Sequence, residues 1–338
     1  DKPDLAVFTG DQIKGYGVTL LLGDREENFK KAFANFLKPV VDRGIPFTFC
    51  FGNHDAQAFG ISKEKQFEIY KSFPGCLAER GDSGLEGLAN HNILIKDSKG
   101  ERDIFNIYLI DSLSTTADGR CAAVTKGQIE WYQKTRDELK AKNGDYVKSI
   151  LFQHIPMCEM WELFSEVPKS RKPHAQGFRE HYGKYYWINE ERLIKGSCDF
   201  AYETAAPSEN TGEFDALREK GDVIAAFCGH DHNNSFVGKY KDFIMGYTQG
   251  CGFNVYGPRL ERGVRIIDLD EHDLGKFTTY TTMYKDVKSA KDIHNKVKYL
   301  IYSYAPPSVE SVMPALKKAA VGAAAIGAAA AVIHFLKK

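Results

Sequence analysis

This 338-residue sequence predicts an α/β fold, with α+β character toward its end, on three observations. Short apolar, β-prone runs alternate with amphipathic helical stretches up to residue 228. Several of those runs end in polar side chains, as buried parallel strands do when they deliver functional groups to a sheet rim. After residue 234 the strand-like runs crowd together, which predicts antiparallel pairing. The length exceeds the roughly 250 residues at which one core stops growing, so one large domain with appendages is expected.

Composition narrows the function classes. Lys plus Arg (45) equals Asp plus Glu (45), which argues against a nucleic-acid module built on a basic face. The seven cysteines are scattered without a Cys-x-x-Cys pair, so no disulfide framework is expected. Cys50 and Cys228 sit in strand-like runs as small buried hydrophobes. The first residue is Asp and no signal peptide precedes the first strand, so the sequence reads as starting inside a domain.

A strand at 5–9 ends in Gly10-Asp11-Gln12. Residues 25–43 place Phe29, Ala32, Phe33, Phe36, Leu37, Val40 and Val41 at helical spacing, and Gly44 and Pro46 stop the helix. The next strand, at 47–51, ends in Gly52-Asn53-His54-Asp55, completing a βαβ unit. A helix at 63–73 precedes a loop-rich stretch with a strand at 92–96. A strand at 104–110, a helix at 126–142 and a strand at 148–153 follow, the last ending in His154-Ile155-Pro156. Periodicity fades over 157–211, where Tyr182, Tyr185, Tyr186 and Trp187 cluster; this insertion is expected to cover the sheet as a lobe on the substrate side. A helix at 214–220 leads to a strand at 223–228, which ends in Gly229-His230-Asp231-His232. Late strands at 235–240, 243–249, 264–269 and 277–283 are expected to be antiparallel. The domain then closes at 284, with a charged linker at 285–313 and an alanine-rich helix at 314–338.

Asp11, Asn53, His154, His230 and His232 all follow strand-like runs and fall on one expected rim. One acid, one amide and three imidazoles suit a borderline divalent metal pair. Such a pair, about 3.5–4 Å apart, serves in-line attack on phosphorus by acidifying a bridging water and neutralising phosphoryl charge. Asp11 suits the bridge because each of its oxygens can take one ion. His54, beside a ligand but not needed as one, can act on the leaving-group oxygen. Taken singly, Asp11 also suits a turn or N-cap, and His154 a core histidine bonded to backbone. Two imidazoles at i, i+2 after a buried strand rarely arise for packing, and the strand ends together favour the metal site.

Gly10-Asp11, Gly52-Asn53-His54-Asp55, His154 and Gly229-His230-Asp231-His232, in this order, resemble the successive motifs of the calcineurin-like metallophosphoesterases. The resemblance covers residues 1–284 and is nearest to the purple-acid-phosphatase-like branch that includes the yeast Dcr2 phosphatase. The run from Gln153 to Glu159, Asn210-Thr211-Gly212 and the glycine-aromatic run from Gly250 to Gly257 carry that nearer likeness. It implies a two-layer β-sandwich flanked by helices. It also implies two divalent ions (Mn, Fe or Zn) bridged by Asp11, one completed by Asn53, His154 and His230, the other by His232. His54, oriented by Asp55, would assist catalysis. Two departures stand out. The family opens with an Asp-x-His strand that is missing from this sequence, leaving the second ion Asp11 and His232; Asp270-Glu271-His272 repeats the pattern where a hairpin turn is expected. Lys14 stands where purple acid phosphatases place a metal-binding tyrosine, with Tyr16 two positions late, which argues against an iron–tyrosinate centre.

The implied activity is a binuclear-metal-dependent phosphoester hydrolase, a phosphomonoesterase using metal-bound hydroxide. The alternatives are a phosphodiesterase or nucleotidase, or a non-catalytic metal- or protein-binding domain. The expected partner is a phosphorylated small molecule or phosphoprotein, with no nucleic acid. At the C-terminus, residues 319–336 are an almost unbroken apolar run between lysine pairs. The run reaches the lower limit of about 17–25 residues for a spanning helix, so a membrane anchor is expected, with a soluble alanine-rich helix as its competitor.

Overall fold

The structure, a computed structural model, describes residues 2–13, 23–117, 119–172, 175–177, 181, 183–194 and 205–304. Its strands are β1 (Ala6–Thr9), β2 (Phe47–Cys50), β3 (His91–Lys96), β4 (Asp103–Ile110), β5 (Ser149–Gln153), β6 (Phe164–Glu166), β7 (Ala175–Gln176), β8 (Tyr185–Ile188), β9 (Val223–Cys228), β10 (Val237–Tyr240), β11 (Phe243–Tyr247), β12 (Gly263–Leu269) and β13 (Phe277–Met283). The α-helices are α1 (Arg25–Val41), α2 (Lys63–Lys71), α3 (Lys126–Asn143), α4 (Glu213–Arg218), α5 (Tyr284–Val287) and α6 (Lys296–Ser303).

The main sheet has six strands in the order β10-β11-β9-β5-β4-β3. β4, β5, β9 and β11 are parallel, and β3 and β10 close the edges antiparallel. The parallel β9–β11 pair corrects the expectation that the late strands are all antiparallel. Lys241 and Asp242, both at positive φ, form a two-residue hairpin turn that returns β11 beside β9. β1 and β2 form a separate parallel pair, and β12 and β13 an antiparallel one.

Strand alternation fixes the layers, because successive side chains face opposite ways. Phe105, Ile107 and Leu109 of β4 join Ile150, Phe152 and Phe227 on one face of the main sheet. Val7 of β1 and Ile267, Leu269 and Phe277 of the β12–β13 pair pack against them, which makes the two-layer sandwich. On the other face Tyr108, Ile110, Leu151 and Met245 lie under Ile129 and Tyr132 of α3 and Leu217 of α4. The outer side of β1–β2 turns Phe8, Phe47 and Phe49 toward Phe29, Phe33 and Leu37 of α1 and Tyr70 of α2. The pairing of β5 with β9 shifts between Ser149 and Ile150, so Ile224 is bulged and Val223 shares a face with Ala226 and Cys228.

Within 157–211, β6, β8 and β7 form an antiparallel sheet, and Phe164, Tyr186 and Ile188 extend the core beneath α3. Lys239 N donates to Arg192 O (2.7 Å) and Ile194 N to Val237 O (2.9 Å), so this segment covers the β10 edge. Asp270-Glu271-His272 lies in the turn between β12 and β13, where His272 N donates to Asp270 Oδ1. No helix among the described residues is long and apolar enough to cross a membrane. Residues 319–336 lie outside the described ones, as do Lys14, Tyr16 and Tyr182.

Candidate metal centre

The two layers of the sandwich meet at their carboxyl ends. Thr9 Oγ1 lies 2.7 Å from Thr248 Oγ1, and Gly229 N donates to His154 O, tying β1, β5, β9 and the segment after β11 together. At this junction Asp11, His154 and His230 bring their ligand atoms within 4.8 Å of one another. Asn53 completes the group, with Oδ1 3.0 Å from His154 Nε2 and 2.9 Å from His230 Nδ1. Residues 11, 53, 154 and 230 all sit one to three positions past a strand, where chain direction aims them at one point.

The atoms that meet are mostly acceptors. His154 Nδ1 is 2.7 Å from the Thr9 carbonyl, so it carries the proton and Nε2 turns a lone pair to the site. Asp11 Oδ2 lies 3.1 Å from that nitrogen but is buried without a hydrogen-bond partner. A buried carboxylate oxygen without a donor is costly, and a cation at this point relieves it. Burial alone raises the Asp11 carboxyl, but His154 outweighs it and holds the group below the usual carboxylate range. Burial lowers His154, and Asp11 more than reverses this. Burial, with His154 alongside, pushes His230 down to about 3, leaving a neutral ring with a free lone pair.

Two features hold the geometry. Asp11 and His230 both adopt positive φ (56° and 74°), a conformation seldom kept by non-glycine residues except where a site requires it. Gly52 leaves no room for a side chain, since a Cβ there would overlap the Asp11 backbone nitrogen and carboxylate. Asp55 proves to be part of this scaffold: its Oδ2 accepts from Gly52 N (2.7 Å) and Asp11 N (2.9 Å). The expectation that Asp55 orients His54 is therefore corrected, because its carboxylate is turned to backbone. The His54 ring instead meets Gln57 Oε1 (2.7 Å), and its backbone N–H donates to Asp11 Oδ1 (2.8 Å). Burial, reinforced by Asp11, pushes Asp55 up to about 7.

His232 is held from a different direction. Its Nδ1 lies 2.9 Å from the Tyr256 carbonyl, and the Tyr256 ring stacks on it (centroids 4.1 Å apart, 12° between planes). Nε2 is thereby the free ligand atom, and burial pushes the ring down to about 4. Tyr256 belongs to the glycine-aromatic run, which wraps the fully buried Arg262. The guanidinium donates to the carbonyls of Gly252 and Val255 (2.7 Å to the latter) and reaches toward Tyr256 O (3.4 Å). Sequence reasoning singled out the run without giving it a role, and it missed Arg262, which has no motif around it. It also missed Cys121, whose Sγ lies 3.4 Å from His230 Nε2.

Residues 1–234 match the family profile described as calcineurin-like phosphoesterase. The chain belongs to this family. Among similar proteins, "Probable inactive purple acid phosphatase 14" of Arabidopsis thaliana is 27% identical over 79% of this chain and 63% of its own length. "Phosphatase DCR2" of Saccharomyces cerevisiae is 27% identical over 70% of this chain and 37% of its own length. The chain thus spans less than two thirds of either relative. A dimetal phosphatase from Danio rerio superposes with a TM-score of 0.44 at 11% identity, covering 73% of this chain and 72% of that one. Calcineurin-like phosphoesterases bind divalent metals, and the orphaned Asp11 oxygen among the His154, His230 and Asn53 acceptors suits one.

Proposed function

We propose that this protein is a metal-dependent phosphoester hydrolase acting on phosphomonoesters of small molecules or phosphoproteins, not on nucleic acid. The observation that supports it most is the convergence of Asp11, Asn53, His154 and His230 acceptors on one buried point. In this reading Asp11, Asn53, His154 and His230 hold one ion, and Asp11 and His232 contribute to a second, each Mn, Fe or Zn. Divalent ions there would acidify water and neutralise charge on the phosphoryl oxygens. The Thr9 and Tyr256 carbonyls keep His154 and His232 in the tautomer that offers Nε2. His54, at the partly open side of the site, gives a proton to the leaving-group oxygen. The alkaline or neutral aryl phosphate assay decides: turnover should require added divalent metal, and a His230→Ala enzyme as fast as the parent sinks the reading.

A second reading is a metal-binding domain without turnover. It is favoured by the name of the Arabidopsis relative and by the shortage of ligands beside His232 among the described residues. Metal bound tightly by a chain that hydrolyses no phosphomonoester or phosphodiester would establish it. We propose further that residues 319–336 anchor the chain in a membrane. The chain should then sediment with membranes and resist alkaline extraction, and full solubility without detergent would refute the anchor.

A further inference from the structure

The last described helix, α6, is built inside out. A surface helix normally turns its apolar stripe to the core and its polar side to water. In α6 the partly buried residues are Tyr299, Tyr302 and Ser303, and Tyr299 packs on Phe253 (6.0 Å between ring centroids). The aliphatic residues face the other way: Val297 is 69% exposed, Leu300 52% and Ile301 64%, while Tyr304, just past the helix, lies under the Arg259 guanidinium (4.6 Å to the ring centroid). Their i, i+3, i+4 spacing gathers them on one face. Val287 of α5, just upstream, is also 66% exposed.

The charge of this part of the sequence is equally one-sided. Residues 284–338 carry nine lysines against Asp286, Asp292 and Glu310, a formal +6. Because the whole chain sums to zero, residues 1–283 carry −6. Lys296 and Lys298 flank the stripe on the helix itself, exposed Lys288 and Lys291 precede it, and Lys285 is paired with Glu261 at 3.0 Å. A basic border around an outward aliphatic face is the composition of a helix lying in a membrane interface. Long lysine side chains reach the headgroups while the aliphatic face enters the acyl boundary.

We infer that α6 seats its Val297, Leu300 and Ile301 face in the interface of an anionic lipid bilayer, with Lys288, Lys291, Lys296 and Lys298 on the headgroups. The inference is separate from the phosphatase reading and does not require 319–336 to span.

The test uses the full 338-residue chain with Leu300→Trp, on vesicles of phosphatidylcholine alone or with phosphatidylserine, with and without brominated acyl chains. The native Trp131, Trp161 and Trp187 pack against the core beneath α3 and supply a constant background. Quenching of the added indole by bromine, several-fold stronger with phosphatidylserine and reduced by salt, is the expected result. Adding Ile301→Glu to Leu300→Trp should abolish that quenching. Sedimentation with vesicles at alkaline pH without quenching overturns the inference, since the tail alone would then hold the chain. Equal quenching on neutral and anionic vesicles overturns the anionic preference. No vesicle contact, with residues 296–304 protected from hydrogen exchange until residues 305–338 are removed, overturns it in favour of the tail covering α6.

Discussion

The two sides of the candidate metal centre are made by different means. Asp11, Asn53, His154 and His230 hang from strands of two packed sheets, with β1 registered on β2 and β5 on β9. Their positions are fixed by backbone ladders and by apolar residues such as Phe49 and Phe227, which are fully buried. His232 leans instead on a loop with no ladder of its own, held by Arg262 and a stacked tyrosine. A strand-end ligand can move only if the sheets move, whereas a loop-held ligand can turn when one guanidinium shifts. The first side should therefore fail all at once, and the second by degrees.

The largest effect is expected on the strand side. Asn53→Ala or His230→Ala should lower metal affinity by about 100-fold or more and turnover in proportion, with the fold retained by circular dichroism. Gly52→Ala should approach that loss without touching a ligand, because its Cβ would displace Asp11; wild-type metal affinity in a folded Gly52→Ala protein would remove the argument for close approach.

Calorimetry should resolve the two sides directly. Titrating this chain with divalent metal is expected to give one tight event and one weak one. Two equally tight events would show that the loop side is as complete as the strand side.

A smaller change is expected from the loop. Gly257→Ala would bring a Cβ within 2.6 Å of Arg262 Nη1 and push the guanidinium off its carbonyls. The weak event should fall by about 10-fold while the tight one stays, as for other residues that orient a ligand at second hand. Nitrogen-15 spectra of the metal-free protein should show His232 losing its single Nδ1–H tautomer while His154 keeps its own. Unchanged His232 signals would detach Arg262 from the site.

A last effect lies outside the centre, leaves metal binding unchanged and calibrates it. His91 is buried between Thr48 Oγ1 (2.7 Å) and Ala89 O (2.8 Å), and burial pushes it down to about 4. The unfolded chain, with an ordinary imidazole, binds the proton first as pH falls. The neutral-His91 contribution is therefore full above about pH 6.5 and is lost toward pH 4, at about 1.4 kcal/mol per unit. A His91→Gln protein should lose that part of the slope in urea titrations at several pH values.

Much of the strand side was legible in the sequence because its signals are local. Alternating apolar residues announce a strand, and a polar group just past its end has few places to go but the rim. Asp11, Asn53, His154 and His230 were found on those grounds, and the structure brings them together. Asp55 was misread because the choice between the neighbouring His54 ring and two backbone N–H groups depends on where Asp11 arrives, 44 positions earlier. Arg262 was missed because a buried cation is recognisable only by the carbonyls folded around it.

The sequence alone determined the order of elements outside 157–211 and up to residue 283, the family motifs and the chemical groups carried past each strand, since these follow from residues within a few positions of one another. It predicted no strand in 157–211 and a linker at 285–313, where β6–β8, α5 and α6 lie. Only the tertiary structure decided that β11 runs parallel to β9, that Asp11 keeps a buried oxygen without a donor, and that α6 turns its aliphatic face outward. Each of those depends on contacts between distant segments, such as Thr9 with Thr248 or Tyr299 with Phe253, whose pairing no local pattern encodes. The physical reason is that propensity and periodicity act over a turn or a strand, while register and desolvation are set by whatever the rest of the chain places alongside.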